Sequence, residues 1–159
     1  MGLDMYLKAR KFINNWDYRP EDKPINQAIR EAVGLGHRND EDADVYITIG
    51  VGYWRKANQI HKWFVDNVQD GEDDCGNYGV ATEQLKELAE TCRKVLNDKS
   101  LASELLPAQS GFFFGGTDYD EWYFKDLEYT ATEIEKLLSI EKPEGRGYYP
   151  WSYVYHSSW

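Results

Sequence analysis

The chain has 159 residues, 42% of them hydrophobic and 29% charged, the balance of one water-soluble globular domain spanning 1–159. A formal net charge of −10 excludes sequence-independent nucleic-acid binding, which needs clustered Lys and Arg, and docking on an anionic membrane. No run approaches the ~20 apolar residues of a membrane span, and Met1 to Met5 lacks the basic-then-apolar layout of a signal peptide. Gly2 does not read as a myristoylation site, because Tyr6 stands where Ser or Thr is required. Cys75 and Cys92 are the only thiols, so the expected setting is a reducing cytoplasm without structural disulfides.

In chain order, Leu3, Met5 and Leu7 alternate with polar neighbours and predict a strand with one buried face. Ile25, Ala28, Ile29, Ala32 and Val33 recur at helical spacing, with Pro24 suited to the first helical position. His37 to Asp44 reads as a polar, mobile loop. Val45, Ile47 and Ile49 predict a second strand ending in a Gly50-Val51-Gly52 turn, followed by a helix from about Trp54 to Val68. Leu85, Leu88, Ala89, Cys92, Val95 and Leu96 mark the cleanest amphipathic helix, with Thr82 as its N-cap. Leu101 to Leu106 predicts a short helical turn. Gly111 to Gly116 predicts a buried strand or aromatic loop, and Tyr123, Leu127, Ala131, Ile134 and Leu138 a last helix capped by Asp118 with Glu121 and ended by Pro143 and Gly145. Tyr149, Trp151, Tyr153 and Tyr155 alternate as an edge strand, because Pro150 cannot donate to a ladder. The expected fold is α+β, a small mainly antiparallel sheet packed with about four helices.

The most informative stretch lies between Asp44 and Asp66, where no carboxylate occurs. It holds Arg55, Lys56, His61 and Lys62 beside Tyr53, Trp54, Trp63 and Phe64. Cations interleaved with flat rings suit a planar anion, stacked on its faces and hydrogen-bonded at its charge. Tyr53, Trp54 and Trp63 are candidates for stacking, Arg55, Lys56 and Lys62 for phosphate or carboxylate, and Asn58 and His61 for orienting a base. Free amides at the Gly50–Gly52 turn would add an anion seat. The competing reading makes Ile60, Trp63 and Phe64 core, with the cations neutralising acidic neighbours.

Other motifs carry less. Gly111 to Thr117 lacks the lysine of a nucleoside-triphosphate loop. Asp66, Asp70 and Gly71 fit a calcium loop, but Val68 and Asn77 break it, leaving a solvated acidic turn. No Cys/His spacing points to zinc, and Asp73 and Asp74 oppose a reactive Cys75 thiolate. Neither a metal nor a cofactor is expected. Asp118, Asp120 and Glu121 beside His61 could run acid–base chemistry, although capping explains the first and last more simply.

The strings MGLDMYL (Met1–Leu7), GYWRKANQIHKWFVDNVQDGEDDC (Gly52–Cys75), EQLKEL (Glu83–Leu88) and SGFFFGGTDYDEWYF (Ser110–Phe124) cover roughly half of the chain. With them the sequence resembles an uncharacterised group of bacteriophage and prophage proteins. The resemblance implies a phage-derived protein of the host cytoplasm and brings no catalytic residue with it. The resulting expectation is a non-enzymatic protein that binds and sequesters a small anionic, nucleotide-derived ligand as a means of evading host defence, and forms a homo-oligomer through its aromatic strand edge. Two alternatives stand beside it: an acidic inhibitor of a host protein whose surface imitates nucleic acid, and a small nucleotide hydrolase using Asp120 or Glu121 with His61.

Overall fold

The computed structural model describes residues 2–17, 19–40, 42–140 and 151–159. Its elements are β1 (Asp4–Ile13), α1 (Lys23–Ala32), β2 (Val45–Arg55), α2 (Asn58–Val68), β3 (Asn77–Val80), α3 (Thr82–Asn97), α4 (Ala102–Leu105), α5 (Glu121–Leu138) and β4 (Ser152–Ser158). The fold is α+β, with five helices and a four-stranded antiparallel sheet in the order β2-β1-β4-β3 among the described residues. Two compact units arise, one of Met1–Ala9 with Gly50–Trp159 and one of Arg10–Ile49.

In the larger unit, Leu3, Met5 and Leu7 on β1 are buried as their alternation predicts. They join a core with Ile60 and Phe64 of α2, Leu85, Leu88 and Cys92 of α3, and Leu127, Ala131 and Ile134 of α5. Burial pushes the Cys92 thiol up to about 12, as for a small core residue. Tyr155 of β4 stacks on Phe64, ring centroids 4.0 Å apart and 9° from parallel.

Three boundaries differ from expectation. Strand β2 runs through Gly50–Gly52 to Arg55, so those glycines form no turn and the helix starts at Asn58, not Trp54. The turn is made instead by Lys56, whose φ of 61° is left-handed. The N-cap of α5 is Asp120, whose carboxylate accepts from the amides of Trp122 and Tyr123 at 2.9 and 3.0 Å, and that of α3 is Ala81, whose amide donates to Gln84 Oε1. The Gly111–Gly116 segment is a loop with Phe112 exposed and Phe114 buried.

The tail also differs. β4 lies between β1 and β3, pairing Tyr155 with Tyr78 and Tyr153 with Val80, so it is not an edge. Tyr153 and Tyr155 are buried, which removes the aromatic edge on which a homo-oligomer was expected. Tyr149 and Pro150 of that expected strand, and Pro143 and Gly145 beyond α5, lie outside the described residues.

In the smaller unit, α1 begins at Lys23, one residue before the expected proline, and turns its apolar residues outward. Asn26 and Arg30 are buried while Ile25 and Val33 are exposed. The cause is hydrogen bonding. Asn26 Nδ2 donates to the carbonyls of Ile13 and Ala43, both at 2.9 Å, and its Oδ1 accepts from Arg30 Nε at 2.7 Å. One amide thereby satisfies two carbonyls that a leucine would leave bare.

Candidate functional site

The end of β2 fixes where the basic residues go. Strand alternation sends Trp54 inward, 3% exposed, and leaves Arg55 outside. Lys56 then reverses the chain. Its amide donates to the Leu3 carbonyl at 2.8 Å, and the helix begins two residues later. No side chain caps the start of α2, and its first turn carries no acid, so α2 itself supplies no carboxylate to offset the positive end of its dipole.

A cavity of about 330 Å³ opens at this corner. Arg55, Lys56, Asn58 and Gln59 line it from the β2–α2 side, and Gly115 and Gly116 from the aromatic loop. Asp118, Asp120, Trp122, Tyr123 and Asp126 line it from the start of α5. Its size falls at the lower end of the roughly 300–1,000 Å³ of small-molecule pockets. A Cβ placed on Gly2 would meet Lys56 Cε at 3.3 Å and Arg55 Nη2 at 4.0 Å, so the two basic side chains pass close to each other beside Gly2. Among the described residues, neither Arg55 nor Lys56 makes an ion pair.

Of the seven residues nominated from sequence, Arg55, Lys56 and Asn58 meet at this cavity and four do not. Asn58 is chiefly a clamp. Its Nδ2 donates to the carbonyls of Phe114 and Gly116 at 3.1 and 2.8 Å, while its Oδ1 accepts from the Gln109 amide at 2.8 Å. Trp54 is core, its indole donating to Thr130 Oγ1 at 2.8 Å. Tyr53 is half exposed on the strand and donates to Asp4 Oδ1. Lys62 faces Asp66 one turn along α2, at 2.8 Å. Trp63 is buried.

His61 is fully buried, its Nδ1 2.8 Å from Tyr155 Oη and its Nε2 3.0 Å from Asp73 Oδ2. A neutral ring that accepts from the tyrosine and donates to the carboxylate satisfies all three groups. Asp73 also accepts from Trp159 Nε1 at 3.0 Å. His61 is therefore bound to Asp73, not to the Asp118–Glu121 segment imagined as its catalytic partner. Asp120 caps α5, and Glu121 pairs with Lys125 at 2.6 Å.

The residues that sequence reasoning missed lie on α5 and in α2. Trp122 is 71% exposed, with Lys125 Nζ 4.7 Å from its ring centroid. Tyr123 is buried and donates to the Leu106 carbonyl at 2.8 Å. Gln59 reaches toward the Tyr123 carbonyl and Asp126 Oδ2, at 3.5 and 3.4 Å. Burial pushes the Asp126 carboxyl up to about 6; the Gln59 amide opposes that rise, and the Asp120 charge adds to it. Asp126 forms no ion pair among the described residues, although two cations line the same cavity. No cluster of His, Cys, Asp and Glu suited to a metal ion occurs among the described residues, and no described helix is long and apolar enough to cross a membrane.

Comparison with protein-family models, curated proteins and solved structures gives no match. The site's chemistry is thus read from its own geometry.

Proposed function

We propose that this protein binds and sequesters a small anionic, nucleotide-derived ligand in the cavity at the β2–α2 corner. One observation carries the reading: Arg55 and Lys56 both line a concave site beside a helix start without a side-chain cap, and neither makes an ion pair among the described residues. Unspent cations facing a hollow bind an anion more strongly than cations in open solvent, because the walls exclude water and the helix dipole adds to the attraction. The exposed Trp122 ring offers a stacking face at the rim.

Binding is favoured over turnover because the residues proposed for hydrolysis are otherwise engaged. His61 is locked between Tyr155 and Asp73, and Asp120 spends its carboxylate on two backbone amides. In a phage-derived protein of the host cytoplasm, as the resemblance implies, a tight ground-state binder removes a host nucleotide signal without chemistry.

The test is thermal unfolding of the purified protein with a nucleotide panel, followed by chromatography of the ligand. A rise in Tm with unchanged ligand, lost in Arg55→Ala, supports sequestration. Altered ligand would make it an enzyme. A flat response to every nucleotide would favour an acidic inhibitor of a host protein.

A further inference from the structure

The cavity is divided by charge. Arg55 and Lys56 stand on the β2–α2 side, and Asp118, Asp120 and Asp126 on the α5 side, without pairing across it among the described residues. A simple anion would satisfy the first group and be repelled by the second. Asp120 is already spent on the start of α5. Asp126 is not. It is half-buried, and among the described residues the Gln59 amide is its one hydrogen-bond donor, at 3.4 Å. A half-buried carboxyl with so long a hydrogen bond to the protein has acceptor capacity left for a donor on a ligand.

We infer that the ligand carries a guanine base whose two neighbouring N–H groups pair with Asp126, while Arg55 and Lys56 hold its phosphates. The inference rests on the anion reading above. An ionised carboxylate only accepts, and it does so through two oxygens side by side. Guanine alone among the common bases presents two adjacent donors, its ring N1–H and its 2-amino group. Adenine and cytosine set a donor beside a ring nitrogen acceptor, which would face a carboxylate oxygen lone pair to lone pair. Uracil and thymine flank their single N–H with two carbonyls. Trp122 lies one turn before Asp126 on α5 and lines the same cavity, so its ring can cover the face of a base paired there.

The same geometry makes the preference depend on pH. Once protonated, Asp126 presents a donor beside an acceptor, the complement of adenine. The groups facing it are Gln59 from α2, Tyr123, Asp120 and Asp118 from the start of α5, and Arg55 and Lys56 across the cavity; Lys125, its sequence neighbour, is paired with Glu121. Loss of charge on Asp126 is centred near pH 6, because burial raises its carboxyl.

The experiment is calorimetric titration with GDP, ADP and inorganic pyrophosphate at pH 8 and pH 5, on the parent protein, Asp126→Asn and Arg55→Ala. At pH 8 the parent is expected to hold GDP about tenfold or more tighter than ADP. That ratio shrinks at pH 5, and Asp126→Asn, whose amide pairs with adenine, prefers ADP at both pH values. Pyrophosphate binding that needs Arg55, with GDP and ADP equal at both pH values, overturns the guanine assignment and leaves the anion site standing. Absence of binding by all three ligands overturns both. The two pH values on the parent protein decide the matter even where a variant folds poorly.

Discussion

Lys56 and Gly115 face each other in left-handed backbone, φ 61° and 88°, and a Cβ added to Gly115 would lie 3.1 Å from that of Lys56. A lysine in this region stores about 1–2 kcal/mol of strain, and it does so at the lip of the cavity. Lys56→Gly is expected to keep or raise stability by up to ~1 kcal/mol while weakening pyrophosphate binding. Gly115→Ala, which adds a side chain at a left-handed position against Lys56, is expected to lose about 1–2 kcal/mol. Urea unfolding of both variants with a pyrophosphate titration checks the pair; equal binding by Lys56→Gly would remove the ammonium from the site.

Asn58 fastens the aromatic loop to α2 through three hydrogen bonds. Asn58→Ala leaves two carbonyls and an amide without that partner and should cost about 2–4 kcal/mol. Asn58→Asp keeps the acceptor for Gln109 but loses both donors, so most of the loss should persist. Guanidinium denaturation midpoints distinguish the clamp from a ligand contact, since the latter would leave the ligand-free protein unchanged.

His61 is expected to act on stability alone. His61→Ala opens a cavity and strips partners from Tyr155 and Asp73, costing about 3 kcal/mol. The folded fraction should bind pyrophosphate like the parent, because the imidazole does not line the cavity. A folded variant with normal Tm and lost binding would return His61 to the ligand site.

Much of the core was legible and the site only in part, for physical reasons. The 3.6 period of α3 and the alternation of β1 report a single buried face, which sequence displays directly. Helix α1 misled because the amide of Asn26 outbid Ile25 for the interior by satisfying two carbonyls. The sequence pattern places Trp54 at the start of a helix; strand geometry through Arg55 sends its ring into the core instead. Arg55 and Lys56 stood out as cations in an acid-free window. Trp122 and Asp126 did not, because only tertiary folding brings α5 to the β2–α2 corner, across about seventy residues of chain.

Asp126 gives a pH signature in stability. Its folded carboxyl, raised from 3.8 to about 6 by burial, holds its proton longer than the unfolded chain does. Stability from this group is therefore full below about pH 3.8 and is lost as pH rises through about 6. Asp126→Asn removes that loss. Its stability should exceed the parent's at pH 8 by about 1 kcal/mol after allowing for solvent screening, read as a higher Tm, and the advantage should vanish near pH 4. A parent-like Tm at pH 8 would show that the ionised carboxylate is well solvated.

Because β4 threads between β1 and β3, the sheet cannot close during translation until residues 152–158 have left the ribosome. Until then Phe64 lacks the Tyr155 ring on its face, and β1 and β3 have no common neighbour to join them. A nascent chain stalled before that point should stay protease-sensitive, however many of its helices have formed.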